Sequence, residues 1–202
     1  TMLGILTDDN VVGIYSNASK CYSLIKGIIN AAITVMGPRF SYYIANDSKN
    51  TYKKSLNMVV QYVNVILVPA VIGLLFEAEG ILYVLGGSDF VVGASTLRIL
   101  AIAIIPATYA CILSYCVLMP MGDELIFMIS TICAAVSNIV LNLLFIPLWG
   151  MDGAAFTTFL AEIIVVGIAL YKSRQNVKIT IEINDSIRCL IGGMGIVAVC
   201  IV

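Results

Sequence analysis

The sequence contains no histidine, and only 11% of its residues carry charge. The first absence excludes an imidazole base or nucleophile and a zinc site built on His. The second excludes an ordinary soluble domain, in which about 25% of residues are charged. The formal net charge is −1, whereas a nucleic-acid partner would demand a basic face, so none is expected. Cys21, Cys111, Cys116, Cys133, Cys189 and Cys200 form no Cys-x-x-Cys pair and mostly fall in apolar segments. They read as small buried hydrophobes. No signal peptide with a cleavage site is expected in this sequence. Thr1 in place of an initiator Met, and an apolar run that stops at Val202, lead us to expect a piece of a longer protein.

What fills the chain instead is apolar: 60% of residues are hydrophobic. The apolar runs continue over roughly 20 residues, where strands of a membrane barrel alternate over about ten. The expected fold class is an all-α polytopic membrane protein, a single transmembrane helical bundle across residues 1–202. Spans are expected at about 11–46, 55–76, 96–119, 124–149, 153–171 and 187–202. Residues 1–7 read as the tail of a preceding span. Ile81 to Leu85 reads as a short apolar piece at the membrane interface, and Lys178 to Ile183 as a short extended one. Pro69 and Pro106 predict irregularities inside their spans.

Lys and Arg collect on the cytoplasmic side of a membrane. The 47–54 loop carries Lys49, Lys53 and Lys54, and 172–188 carries four basic residues. The 8–10 and 147–152 connections carry none, and 77–98 only Arg98. Alternate loops are thus basic, which puts the basic ones inside. Met119 to Glu124 falls inside yet is acidic; acidic residues weigh little in this rule.

Polar residues within the spans are the candidates for function. At 100° per residue, Ser16, Ser19, Lys20, Ser23, Lys26, Asn30 and Thr34 share an arc of roughly 120°. Such a stripe suits water or an anion beside the helix, or else a helix lying on the membrane surface. Lys20 sits about 15 Å along the helix, far to snorkel, which favours a lumen. Asn57, Gln61 and Asn64 recur at i, i+4 and i+7, as interhelical hydrogen bonds or as lining of the same cavity. Glu162 is the one carboxylate deep in an expected span. It is either a packing partner of Thr158, four residues before it, or a proton or sodium carrier.

The stretch 138–162 organises the chain. Asn138 and Asn142 share a helical face, Pro147 and Gly150 close that helix, and Gly153-Ala154-Ala155 opens the next against a neighbour. An Asn-bearing helix running into Pro147-Leu148-x-Gly150-x-x-Gly153-Ala154-Ala155 and a later Glu162 resembles the polysaccharide-export flippases. These are the O-antigen and capsule flippases of the multidrug/oligosaccharidyl-lipid/polysaccharide exporter superfamily. Thr34-Val35-Met36-Gly37-Pro38-Arg39-Phe40-Ser41 is similar to their Thr-Val-(apolar)-x-Pro-Arg-x-Ser, with Gly37 in place of a bulky apolar residue. Gly13-x-Tyr15 with Lys20 matches the start of the same helix.

The resemblance implies the second of two six-helix bundles that rock about a central cavity in the cytoplasmic membrane. The missing N-terminal half of the same chain would supply the other wall. The implied cargo is an oligosaccharide on a polyprenyl diphosphate, which cannot cross hydrocarbon unpaired. Lys20 and Lys26 would meet the diphosphate, and Asn30, Asn57, Gln61 and Asn64 the sugar hydroxyls. Arg39 would receive the headgroup at the cytoplasmic end, and Glu162 is the ion-coupling candidate. Membrane lipids are the other expected partners; no cofactor, metal or catalytic residue is expected. A cation-coupled multidrug exporter would show more lumenal carboxylates. A polysaccharide polymerase or glycosyltransferase would show clustered acids, Arg or His on a sizeable external loop.

Overall fold

A computed structural model describes residues 2–176, and every element among them is helical. In chain order these are α1 (Met2–Leu6), α2 (Asp9–Thr34), α3 (Gly37–Ala45), α4 (Lys49–Phe76), α5 (Ala78–Gly86), α6 (Ala94–Ile112) and α7 (Glu124–Asn176). A 3-10 turn (Ser88–Gly93) leads into α6, and a π-helical segment (Leu113–Leu118) prolongs it. The expected span from about 187 and the extended piece near 178–183 lie outside the described residues.

Among the described residues three stretches are long and apolar enough to cross a membrane: Lys49–Phe76, Ser88–Leu118 and Glu124–Arg174. The last is twice the length that a bilayer needs, about 20 residues. It is two spans, broken at Gly150, whose φ of 56° and ψ of −128° lie outside helical space. A Cβ would be strained there. The two arms of α7 then fold back on each other so tightly that a Cβ on Gly153 would collide with the Phe145 carbonyl oxygen. Phe156 of the second arm seats against Phe145 and Trp149 of the first, at 5.5 and 5.8 Å between ring centroids.

The single helix expected over 11–46 is two helices, α2 and α3, joined at Val35-Met36. Pro38 has no N–H to offer the Thr34 carbonyl, so the ladder stops and restarts with Pro in the first turn of α3. The connection after α4, expected as a loop with a short apolar piece, is the helix α5 and a 3-10 turn. α4 and α6 both run on through their prolines, Pro69 and Pro106. Pro120 cannot donate to the Cys116 carbonyl, and the buried Tyr52 hydroxyl of α4 donates to it instead, at 3.0 Å.

α6 is the hub. Leu97, Leu100, Ala101, Ala103, Ile104 and Ala107 are buried along its length, against α2, α4 and α7. Its alanines let neighbouring backbones approach, the usual device where lipid supplies no hydrophobic drive for helix association. The first arm of α7 instead keeps Leu125, Ile132, Val136, Ile139 and Leu143 exposed. An apolar face turned outward is what a bilayer solvates.

Side-chain ties at the two ends agree with spans crossing in alternation. At one end Lys172 meets Asp123 at 3.6 Å. At the other, Ser95 and Thr96 donate to the Asp152 carboxylate at 2.9 and 2.5 Å. Arg98, the lone base of its connection, is held at that end by Glu79 (2.9 Å) and the Leu75 carbonyl (3.1 Å).

Candidate functional site

Between α2, α6 and both arms of α7 lies a cavity of about 470 Å³. Lys26 and Asn30 reach it from α2, Cys111 and Tyr115 from α6 and its π-helical end, and Asn138 and Glu162 from the two arms of α7. Its volume falls within the range of small-ligand pockets, about 300–1,000 Å³.

The cavity is built around an ion pair. Lys26 Nζ donates to Glu162 Oε1. Tyr22, one turn before Lys26, donates its hydroxyl to the same carboxylate oxygen at 3.0 Å and accepts from Lys26 at 3.1 Å. The ammonium also sits 5.3 Å from the centre of the Tyr22 ring. The paired side chains keep 27% and 17% of their surface exposed, so the pair is sheltered but open to the cavity. Two opposite charges held this way leave the site formally neutral, where the sequence suggested an uncompensated cationic face. Thr158, the other partner considered for Glu162, donates instead to the Ala154 carbonyl at 2.9 Å.

Beside the pair, Asn30 Oδ1 is buried and has no hydrogen-bond partner among the described residues. A buried carbonyl left unpaired costs about 1–3 kcal/mol. It lines the cavity and is suited to a donor group that arrives there. Deeper in the α7 hairpin, Asn142 donates to Asn138 Oδ1 at 2.9 Å and accepts from Thr157 at 2.6 Å, which locks the two arms together.

The other sequence candidates lie elsewhere. Lys20 is exposed on α2, as are Asn57 and Gln61 on α4. Arg39 is exposed on α3 and donates from Nε to the Tyr43 hydroxyl at 2.6 Å, with its guanidinium 5.6 Å from that ring. Asn64 is buried, and its Oδ1 accepts from Tyr109 at 2.9 Å, tying α4 to α6. The structure therefore brings together Lys26, Asn30 and Glu162, and leaves Lys20, Arg39, Asn57, Gln61 and Asn64 outside that cavity. Tyr22 was missed by the sequence reading, although its position four residues before Lys26 places it on the same face. A second, larger cavity of about 720 Å³ lies between α4, α6 and the second arm of α7, and its lining is almost wholly apolar.

A family model described as "Lipid II flippase MurJ" matches residues 2–202. No curated protein matches the chain. Among solved structures the fold resembles "Lipid II flippase MurJ, inward closed conformation", with a TM-score of 0.74 and 20% sequence identity. That likeness covers 95% of this chain and 40% of the other, so the chain spans well under half the length of the protein it matches.

Proposed function

The chain belongs to the lipid II flippase MurJ family, and on that premise we propose that it forms part of a flippase for a lipid-linked saccharide in the cytoplasmic membrane. A flippase moves its cargo without making or breaking a covalent bond, so no catalytic residue is assigned. Within the cargo class the family description favours lipid II over the O-antigen or capsule repeat suggested by the sequence. The proposed mechanism is alternating access, with this bundle rocking against the rest of the protein.

The observation that carries the reading is a cavity between membrane helices that holds an ammonium and an unpartnered amide carbonyl. An anionic headgroup cannot enter hydrocarbon without charge-assisted hydrogen bonds. Lys26 supplies them, and Asn30 Oδ1 accepts from a cargo hydroxyl or amide. Lys20 and Arg39, both exposed, attract the headgroup on its way, and Asn57 and Gln61 contribute from the exposed face of α4. Asn64, whose carbonyl oxygen is already engaged, serves α4–α6 packing.

The test is flipping of a fluorescent lipid II analogue by the full-length protein in vesicles. Removing Lys26 alone would strand the Glu162 charge, so the informative variant is the neutral pair Lys26→Met with Glu162→Met, which isosteric apolar groups can pack. At matched insertion, flipping should fall at least about tenfold, the worth of one charge-assisted contact. A wild-type rate in the double variant would overturn the reading.

A further inference from the structure

We propose that Glu162 is a proton-gated counter-anion that occupies the phosphate site of Lys26 until it is protonated. The inference rests on the reading of Lys26 as a phosphate ligand, and extends it to when that ligand is available.

In the structure the Lys26 ammonium is already taken. Glu162 Oε1 accepts from it and from the Tyr22 hydroxyl, so a single carboxylate oxygen fills the place where a phosphate oxygen would sit. An arriving phosphate would then face a carboxylate across one shared ammonium, two anions and one cation in a sheltered site. Like charges so close cannot both persist there. Two exits exist: the phosphate is refused, or Glu162 takes up a proton. In the second, one proton adds to the carboxylate and no other bond changes. Lys26 keeps its charge and turns to the phosphate, and the new Glu162 hydroxyl becomes a donor to the same headgroup.

Nothing else in the cavity duplicates this switch. The titratable groups facing Glu162 are Lys26 and Tyr22 from α2, and Cys111 and Tyr115 from α6 and its π-helical end. The first arm of α7 contributes Phe127, Thr131 and Asn138, none of which is charged. Glu162 is thus the one carboxylate among the described residues that lines the cavity. Cargo binding and proton uptake become one event.

The experiment measures binding of a short prenyl diphosphate whose terminal phosphate is esterified to a sugar, so that its own charge is constant with pH. The full-length protein is held in lipid nanodiscs. Wild-type affinity should rise by up to about tenfold per pH unit on acidification while Glu162 is ionised, with uptake of about one proton per probe bound. Glu162→Gln, an isostere that still accepts from Lys26 and Tyr22, should bind at the acidic wild-type affinity at every pH and take up no proton. Unaltered pH dependence and proton uptake in Glu162→Gln would overturn the gate while leaving the phosphate site intact. Should Lys26→Gln bind the probe as well as wild type, the phosphate site itself fails, and the gate with it. Proton uptake is read on folded, probe-binding protein, so a loss of fold cannot imitate either result.

Discussion

At the scale of single residues, Asn30 is where the proposed binding role can be told from a packing role. A side chain selected for stability would not leave its carbonyl oxygen buried and unpaired. Replacing it by an apolar group of similar volume removes that cost, so Asn30→Leu should raise the thermal midpoint of the purified protein by a few degrees. A gain of about 1–3 kcal/mol corresponds to such a shift in a chain of this size. Flipping of the lipid II analogue should fall in the same variant. A lowered midpoint would show that Oδ1 has a partner in the complete protein and is structural. The sequence made Lys26, Asn30 and Glu162 visible one by one, because charge and amide inside an apolar run are conspicuous. It did not make their meeting visible. Lys26 and Glu162 are 136 positions apart, and only the packing of α2 and α7 around α6 decides which part of the polar stripe turns inward. Lys20 belongs to the same stripe and turns out.

At the scale of elements, the α7 hairpin was the most legible feature. Pro147, Gly150 and Gly153 marked a turn between two apolar runs, and the structure folds there, with Gly150 at positive φ. What the pattern did not convey is how close the arms come. Gly153→Ala should lower stability by about 2 kcal/mol or more, because the new Cβ meets the Phe145 backbone and neither can move away cheaply. Gly27→Ala, with open space around its Cβ position, should be close to neutral or slightly stabilising. Comparing membrane abundance and thermal midpoints of the two variants checks this, and equal behaviour would mean the arms are looser than described. The break between α2 and α3 was less legible. Pro38 breaks the backbone ladder there, but residues 35 and 36 keep right-handed helical dihedrals, so the hydrophobic period carries on across the break. The π-helical end of α6 leaves no periodic trace at all. Its Cys116 carbonyl accepts from Tyr52, 64 positions away.

At the scale of the whole molecule, charge along the chain predicted a topology, and the ties between distant segments give it a geometric basis. Lys172 and Asp123 meet at one end, Asp152 with Ser95 and Thr96 at the other. The first set lies beside the basic segments and should be cytoplasmic. The second should face outward, with α5 and the 3-10 turn. In a background whose native cysteines are replaced by alanine, Ser88→Cys should react with a membrane-impermeant maleimide in intact cells. Asn50→Cys, at the start of α4, should react only after permeabilisation. Both positions are exposed, so protection would reflect the membrane and not burial. The reverse pattern would invert the bundle. The orientation also bears on the residues that the cavity leaves out. Arg39 lies just before the basic end of α4, and Lys20 is exposed on α2. Exposed cations on membrane helices are costly unless something polar covers them. The matched flippase is more than twice as long as this chain, and on the proposed reading the exposed Lys20 faces the cargo's route. Lys20→Leu should therefore leave insertion and thermal stability within about 0.5 kcal/mol of wild type, as surface changes do. It should slow flipping, with its largest effect at low ionic strength, where long-range attraction is least screened. A salt-independent defect would place Lys20 in direct contact with cargo instead.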